Sequence, residues 1–320
     1  MVDGRNGRRT ARTMMGAALI WASVLLLASH LMPPTVLAQD AAPAASERQA
    51  TCQYAATRRM AQVNDPGIRE ASGLVASQQF PGVYWTLNDS GNGAAVFAFS
   101  QEGASLGTFR VSGAGNVDWE ALQLGPDEQG GHALYVGDIG DNDYQRRQLA
   151  IYRFPEPQPG SGGETAPATV FRFSYPGLFH NTEAMLVHPV TGEVTLITRE
   201  VSGMSLIFRL PLPLDSENVM VADLVDVVNV RGLDPASGQV TDAAISADGR
   251  HVALRTYASV LVFDVPEKAA LDSIWAQEPR VYRLADGPKG EGLTFRLDTD
   301  DLMSVGEERP TALYQTAWQC

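Results

Sequence analysis

Positive charge is scarce in this chain of 320 residues: 24 lysines and arginines stand against 37 aspartates and glutamates, a formal net charge of -13. A surface of that sign repels phosphate backbones and anionic lipid headgroups, so nucleic-acid binding and docking on acidic membranes are excluded as general roles. Cysteine is almost absent, with only Cys52 and Cys320. The five histidines, His30, His132, His180, His188 and His251, form no pair at zinc-ligand spacing. The chain also lacks the G-x-S-x-G nucleophile elbow and the phosphate-cradling P-loop. What remains is 44% hydrophobic, with 30 glycines and 19 prolines, a globular composition rich in turns.

The N-terminus reads as a targeting segment. Arg5, Arg8, Arg9 and Arg12 precede an apolar stretch from about Met14 to Met32, and Val36-Leu37-Ala38 forms a small-residue cleavage pattern. Residues 1–38 are therefore expected to be a secretory signal peptide, with an uncleaved anchor as the alternative because the apolar stretch is long enough for one, and 39–51 a flexible lead-in. The expected location is secreted or periplasmic, with no stable membrane span once the signal is cleaved. The rest, 52–320, is expected to be one domain and a monomer.

That domain is built on a repeat. A carboxylate, a small residue and a short apolar run recur at Glu70, Glu120, Glu183, Asp242 and Glu291, at intervals of about fifty to sixty residues. Each repeat continues with a turn and a second apolar run, ending in polar residues such as Asn88-Asp89, Asp138, Arg199, Arg255 or Glu307. A third run follows, as in Val96–Phe99 or Ile207–Leu210, and then a fourth, as in Val170–Phe173 or Met220–Leu224. Four short strands per repeat, arranged radially, predict an all-β propeller of about five four-stranded blades. The fifth repeat ends at Cys320 without a fourth strand, and the segment Cys52–Arg58 is left over to supply it and close the ring. Antiparallel pairing then sets Cys52 beside Cys320, and an exported chain permits the disulfide.

Ile245-Ser246-Ala247-Asp248-Gly249-Arg250-His251-Val252-Ala253 resembles the strand-turn-strand signature of WD-type and TolB-like bacterial propeller repeats. Leu87–Gly91, Val117–Glu120 and Val136–Asn142 are similar to segments of exported bacterial propeller proteins. The resemblance spans about residues 66–318. It implies the fold and carries no catalytic residue set with it, because propellers host unrelated activities.

In a propeller the first strand of each blade lines the central channel, and the second strand returns to the same face. The mouth is thus expected to gather Glu70, Glu120, Glu183, Asp242 and Glu291 with Asn88, Asp89, Asp118, His180, Arg199 and Arg255, as a ligand-binding face. Crowded carboxylates raise one another's pKa unless a cation compensates. Oxygen donors suit calcium, and Asp138, Asp141 and Asp143 in one glycine-bearing turn are the expected metal ligands. The competing reading is structural: the acids accept bonds from neighbouring blades or pair with arginine. The leading functional expectation is a propeller that binds a small molecule, a metal ion or a protein partner at this mouth without catalysis. Lactonase-like propellers of six blades hold calcium at the mouth on Glu, Asn and Asp, and five-bladed glycosidases use a few carboxylates on one face. The alternative is therefore a calcium-dependent extracytoplasmic hydrolase, lactonase- or esterase-like, or less simply a glycosidase.

Overall fold

Runs of β-branched and aromatic residues, cut at short intervals by glycine, aspartate and asparagine turns, fold into short strands that pair with their sequence neighbours. A computed structural model describes residues 52–160, 162–285 and 289–320. The expected signal peptide, 1–38, and lead-in, 39–51, lie outside the described residues.

Five sheets follow one another along the chain. Blade 1 comprises Ala71–Ala76, Val83–Asn88, Ala95–Ser100 and Ser105–Arg110. Blade 2 comprises Trp119–Pro126, His132–Asp138, Leu149–Pro155 and Thr169–Ser174. Blade 3 comprises Thr182–Val187, Val194–Thr198, Met204–Arg209 and Asp223–Asn229. Blade 4 comprises Val240–Ile245, His251–Thr256, Ser259–Asp264 and Arg280–Arg283. Blade 5 comprises Gly290–Phe295, Leu302–Gly306 and Ala312–Thr316, and its outer strand is Arg58–Gln62 from the other end of the chain. Within each blade, neighbouring strands are antiparallel.

The first strands are buried on both faces because each lies against the first strands of the blades on either side, in a closed ring. Five apolar clusters fill the five gaps between blades. Phe171, Phe173, Met185 and Phe208 join blades 2 and 3, and Leu186, Ile207, Leu254 and Phe263 join blades 3 and 4. Trp85, Phe109, Trp119 and Phe154 join blades 1 and 2. Leu74, Phe99, Met303 and Leu313 join blades 5 and 1, and Ala253, Val262, Leu293 and Phe295 join blades 4 and 5. The expected five-bladed propeller, closed by an N-terminal strand, is the fold observed.

Two details of the expectation shift. The closing strand lies a few residues later than Cys52–Arg58. Gln53–Tyr54 instead forms a small ribbon with Trp318–Gln319, beside the Cys52–Cys320 disulfide. The fourth strand of blade 3 is Asp223–Asn229 instead of Met220–Leu224. Met220 and Ala222 are buried in the cluster between blades 2 and 3, and Met220–Val221 adds in parallel to the outer strand of blade 2. Gly163–Glu164 does the same for blade 1, so the long connection 155–167 is partly pinned to the sheet. Among the described residues, no helix is long and apolar enough to cross a membrane.

Candidate functional site

In blades 1 and 2 the channel mouth is assembled by a latch at the end of the second strand. In blade 1, Asn88 Oδ1 accepts the Arg69 and Glu70 N–H groups at 2.8 and 3.2 Å, and its amide donates to the Gly67 carbonyl at 2.8 Å. In blade 2, Asp138 does the same for Asp118 and Val117, at 3.0 and 3.4 Å, and Arg146 neutralises it at 2.7 Å. These two buried residues hold the incoming chain; their polar atoms are turned to the protein.

The latches fix a register that the repeat motif obscured. Ala71 pairs with Asn88, Trp119 with Asp138, Thr182 with Thr198 and Gly290 with Gly306. The next residue in each is Ser72, Glu120, Glu183 and Glu291. Ser72, and not Glu70, therefore holds the ring position in blade 1, and its hydroxyl donates to the Glu120 carbonyl at 3.0 Å. Glu70 lies at the half-exposed rim, where Asn92 donates to it at 2.9 Å.

Four carboxyl groups of the first strands are buried: Glu120, Glu183, Asp242 and Glu291. In blade 4, however, Val240 pairs with Thr256, so Thr241 takes the ring position and Asp242 lies one residue further along. The Thr241 hydroxyl donates to the Gly290 carbonyl at 2.9 Å. Asp242 accepts N–H bonds from Ala243 and Leu293 at 2.8 and 2.7 Å, tying blade 4 to blade 5, while burial pushes its pKa well up. Glu183 is paired with Arg199 at 2.8 Å and accepts from Asn181 at 2.8 Å, yet burial still raises its pKa. Burial, followed by the charges of Glu183 and Glu307, pushes Glu291 up to about 8. Arg255 is wholly buried and acts electrostatically on both Asp242 and Glu291. Its guanidinium lies on Gly290, where an added Cβ would come within 1.4 Å of Nη2. Below the ring, Gln123 reaches from blade 2 to the Ala243 carbonyl of blade 4 at 2.8 Å, so the channel has a floor at this level.

Beside the ring, Asp89, Asp118 and Glu120 converge. Each can offer an oxygen within 4.8 Å of the others. Burial, then the Asp89 charge, lifts Asp118 to about 6. Glu120 is pushed well up by burial, Glu183, Asp89 and Asp118, and Asp89 is raised chiefly by burial. The turn from Asp138 to Asp143 supplies the wall. A Cβ on Gly140 would fall 2.4 Å from Asp118 Oδ2 and 2.8 Å from Glu120 Oε1, so only glycine fits there.

The expected metal ligands of that turn are placed differently from one another. The Asp138 carboxylate serves the latch, and Asp141 accepts the Gln145 and Arg146 N–H groups at 2.8 and 2.9 Å. Asp143 is exposed. The oxygens that do converge belong to Asp89, Asp118 and Glu120, all named from the sequence as ligand-binding residues. His180 stays apart on blade 3, bonded to Glu200 at 2.9 Å and packed against Tyr175 and Phe208.

Next to the ring, on the blade 3 and 4 side, a cavity of about 290 Å³ is lined by Asn142, Tyr144, Asn181, Arg199 and Tyr257 among others. Arg199 donates to Tyr257 at 3.1 Å and to Asn142 at 3.3 Å. Sequence reasoning missed Asn181 and Tyr257, although each lies two residues from a named site residue, Glu183 or Arg255. It also missed Gly140, whose signal was a glycine inside an acidic turn.

No protein-family model matches the sequence, and no curated protein matches it. Among solved structures, a glucose dehydrogenase is similar at 11% identity over 82% of this chain and 99% of that one, with a TM-score of 0.43. An auxiliary nutrient binding protein from Bacteroides thetaiotaomicron is similar at 8% identity over 84% and 78%, with a TM-score of 0.44. The Cps50 (Swd1) β-propeller domain of Myceliophteria thermophila is similar at 10% identity over 83% and 100%, with a TM-score of 0.41. Likeness at this level carries no argument about the activity of this chain.

Proposed function

We propose that this protein is a ligand-binding propeller that holds a divalent cation of the calcium class at its channel mouth, on Asp89, Asp118 and Glu120. The convergence of those three carboxyl groups within 4.8 Å carries the reading. Three such groups repel one another when ionised, and the basic side chains nearby are engaged elsewhere, Arg146 on Asp138 and Arg199 on Glu183. A calcium ion takes six to eight oxygens at about 2.3–2.6 Å, and an all-oxygen donor set suits it. The adjoining cavity, with its amide, phenol and guanidinium groups, would then seat a small polar ligand.

The protein works outside the cytoplasm in this reading, secreted or periplasmic and of the exported bacterial propeller kind with WD-type repeats. The disulfide and the described strands fit such a compartment. The test is calorimetric titration of calcium into chelator-treated protein at matched ionic strength. Saturable binding that Asp118→Asn abolishes is expected. A flat titration of the native protein would sink the metal site.

A hydrolase is the second reading. It is favoured by Glu291, whose carboxyl group stays protonated up to about pH 8 and so retains a proton to give near neutrality. Calcium-dependent turnover of lactones or esters, lost in Glu291→Gln with calcium binding intact, would establish it.

A further inference from the structure

The outer edges of the five blades are not finished alike. Blades 1 and 2 each carry a parallel fifth strand, Gly163–Glu164 on Phe109–Arg110 and Met220–Val221 on Phe173–Ser174. The edge of blade 4 lies near the terminal ribbon, with Tyr282 against Tyr54 and Arg280 over Trp318. Blade 5 ends in a strand bearing Arg58 and Arg59, and charge of this kind blunts an edge. Blade 3 ends in Asp223–Asn229, seven residues long, with no further strand beside it among the described residues.

That edge is also apolar. Leu224 and Val227 are 52 and 44% exposed on it, and Val219 and Val221, just before it in the chain at the strand added to blade 2, are 43 and 52% exposed. Leu224 pairs with Phe208, and Val227 with Leu206, so both lie on the sheet face turned toward blade 2. Contiguous exposed apolar side chains beside an open strand edge mark an interaction surface. The charge of the segment says what kind. Asp215, Glu217, Asp223 and Asp226 lie in it, and no lysine or arginine occurs between Arg209 and Arg231. A second copy would bring acid against acid across the junction. A basic strand would not.

We propose that the outer edge of blade 3 is a docking site for an extended segment of a partner protein, one that alternates apolar residues with lysine or arginine and adds to the sheet as a fifth strand. Backbone hydrogen bonds to Asp223–Asn229 would hold it. Its apolar side chains would rest on Leu224 and Val227, and its cations would face Asp223 and Asp226. The chain already adds such strands to itself on blades 1 and 2, so the blade geometry tolerates a fifth strand.

The probe is a synthetic peptide of roughly eight residues alternating lysine and valine, titrated into the full chain and followed by fluorescence anisotropy and amide hydrogen exchange. Expected are saturable binding and slowed exchange confined to residues 223–229. Affinity should fall by about tenfold or more in the Leu224→Asp, Val227→Asp double variant, whose changes are at exposed positions. A peptide of the same length and charge with proline at every second valine should not bind, because it cannot supply the strand hydrogen bonds. Three results would overturn the proposal: no binding, binding unaffected by the double variant, or slowed exchange at the channel mouth instead of blade 3. Sedimentation gives a fourth. A dimer that the double variant dissociates would assign the edge to a second copy and remove the basic partner.

Discussion

At the scale of single residues, the mouth is a place where carboxyl groups are held against their preference. Asp118 titrates near 6 and Glu291 near 8 because burial and neighbouring acids disfavour the ionised form. Replacing Asp118 with asparagine removes that repulsion without removing a latch, since its carboxylate caps no strand. Asp118→Asn is therefore expected to melt at or above the native temperature in chelator, and to lose any rise that calcium gives the native protein. Differential scanning calorimetry of both proteins, with and without the ion, checks this. The pH dependence follows from the same groups. Glu291 has an ordinary value of 4.5 and a folded value near 8, so the folded state binds the extra proton. Its contribution to stability is whole below about pH 4.5 and is lost as pH rises through 8. The melting temperature in chelator should fall by roughly 5 °C or more between about pH 5 and pH 8, and Glu291→Gln should flatten that slope. A native profile that is level, or one the variant leaves unchanged, would show that Glu291 is ionised in the fold. Most of these side chains were legible in the sequence, because the motif that repeats the first strand also repeats its acid. Glu70 was misleading. Glu70-Ala71 imitates Glu120-Ala121, but the Asn88 latch places Ser72 in the ring, and a latch is a contact between strands that no local pattern displays.

Among elements, the first strands are where tolerance is smallest. Each is squeezed between two neighbours, and Gly73 shows the consequence: at φ +68°, an added Cβ would lie 2.7 Å from the backbone nitrogen of Leu122 in blade 2. Gly82, at φ +78° in the turn before the second strand, has nothing within 4 Å of the same atom. Both alanine variants incur the left-handed backbone cost of about 1 kcal/mol, and only Gly73→Ala adds a clash in a packed interior. Urea denaturation should find Gly82→Ala lower by about 1 kcal/mol and Gly73→Ala lower by about 3 kcal/mol. Equal losses would mean that blades 1 and 2 relax apart easily. First and second strands read clearly from sequence because they alternate sharply with turns. Outer strands read less well. In blade 3 the apolar residues run almost unbroken from Val219 to Val228, the bulge at Val225 breaks the two-residue period, and the strand starts three residues later than the pattern indicated.

For the whole molecule, closure is the problem that five blades must solve, since each gap between blades holds its own part of the core and the last gap forms only when the two ends meet. The chain closes it twice. Arg58–Gln62 pairs with Ala312–Thr316 to complete blade 5, and Cys52 is bonded to Cys320 across 268 residues of sequence. The pairing was legible because the fifth repeat was short by one strand and two cysteines flanked the domain. Its exact register was not, since the segment before the first repeat is too polar to announce a strand. A cross-link over so long a loop stabilises by about 5 kcal/mol on a chain-entropy account, by restricting the unfolded chain. Reduction should therefore lower the melting temperature markedly while leaving the ring intact at low temperature, because the backbone ladder of blade 5 remains. Hydrogen exchange distinguishes the two contributions. In the reduced protein, amides of Arg58–Gln62 and Ala312–Thr316 should exchange sooner than those of the first strands, as opening begins at the seam. If exchange instead quickens equally in all five blades, the disulfide stabilises the ring only as a whole, and the strand pairing at the seam is no weaker than the pairing elsewhere.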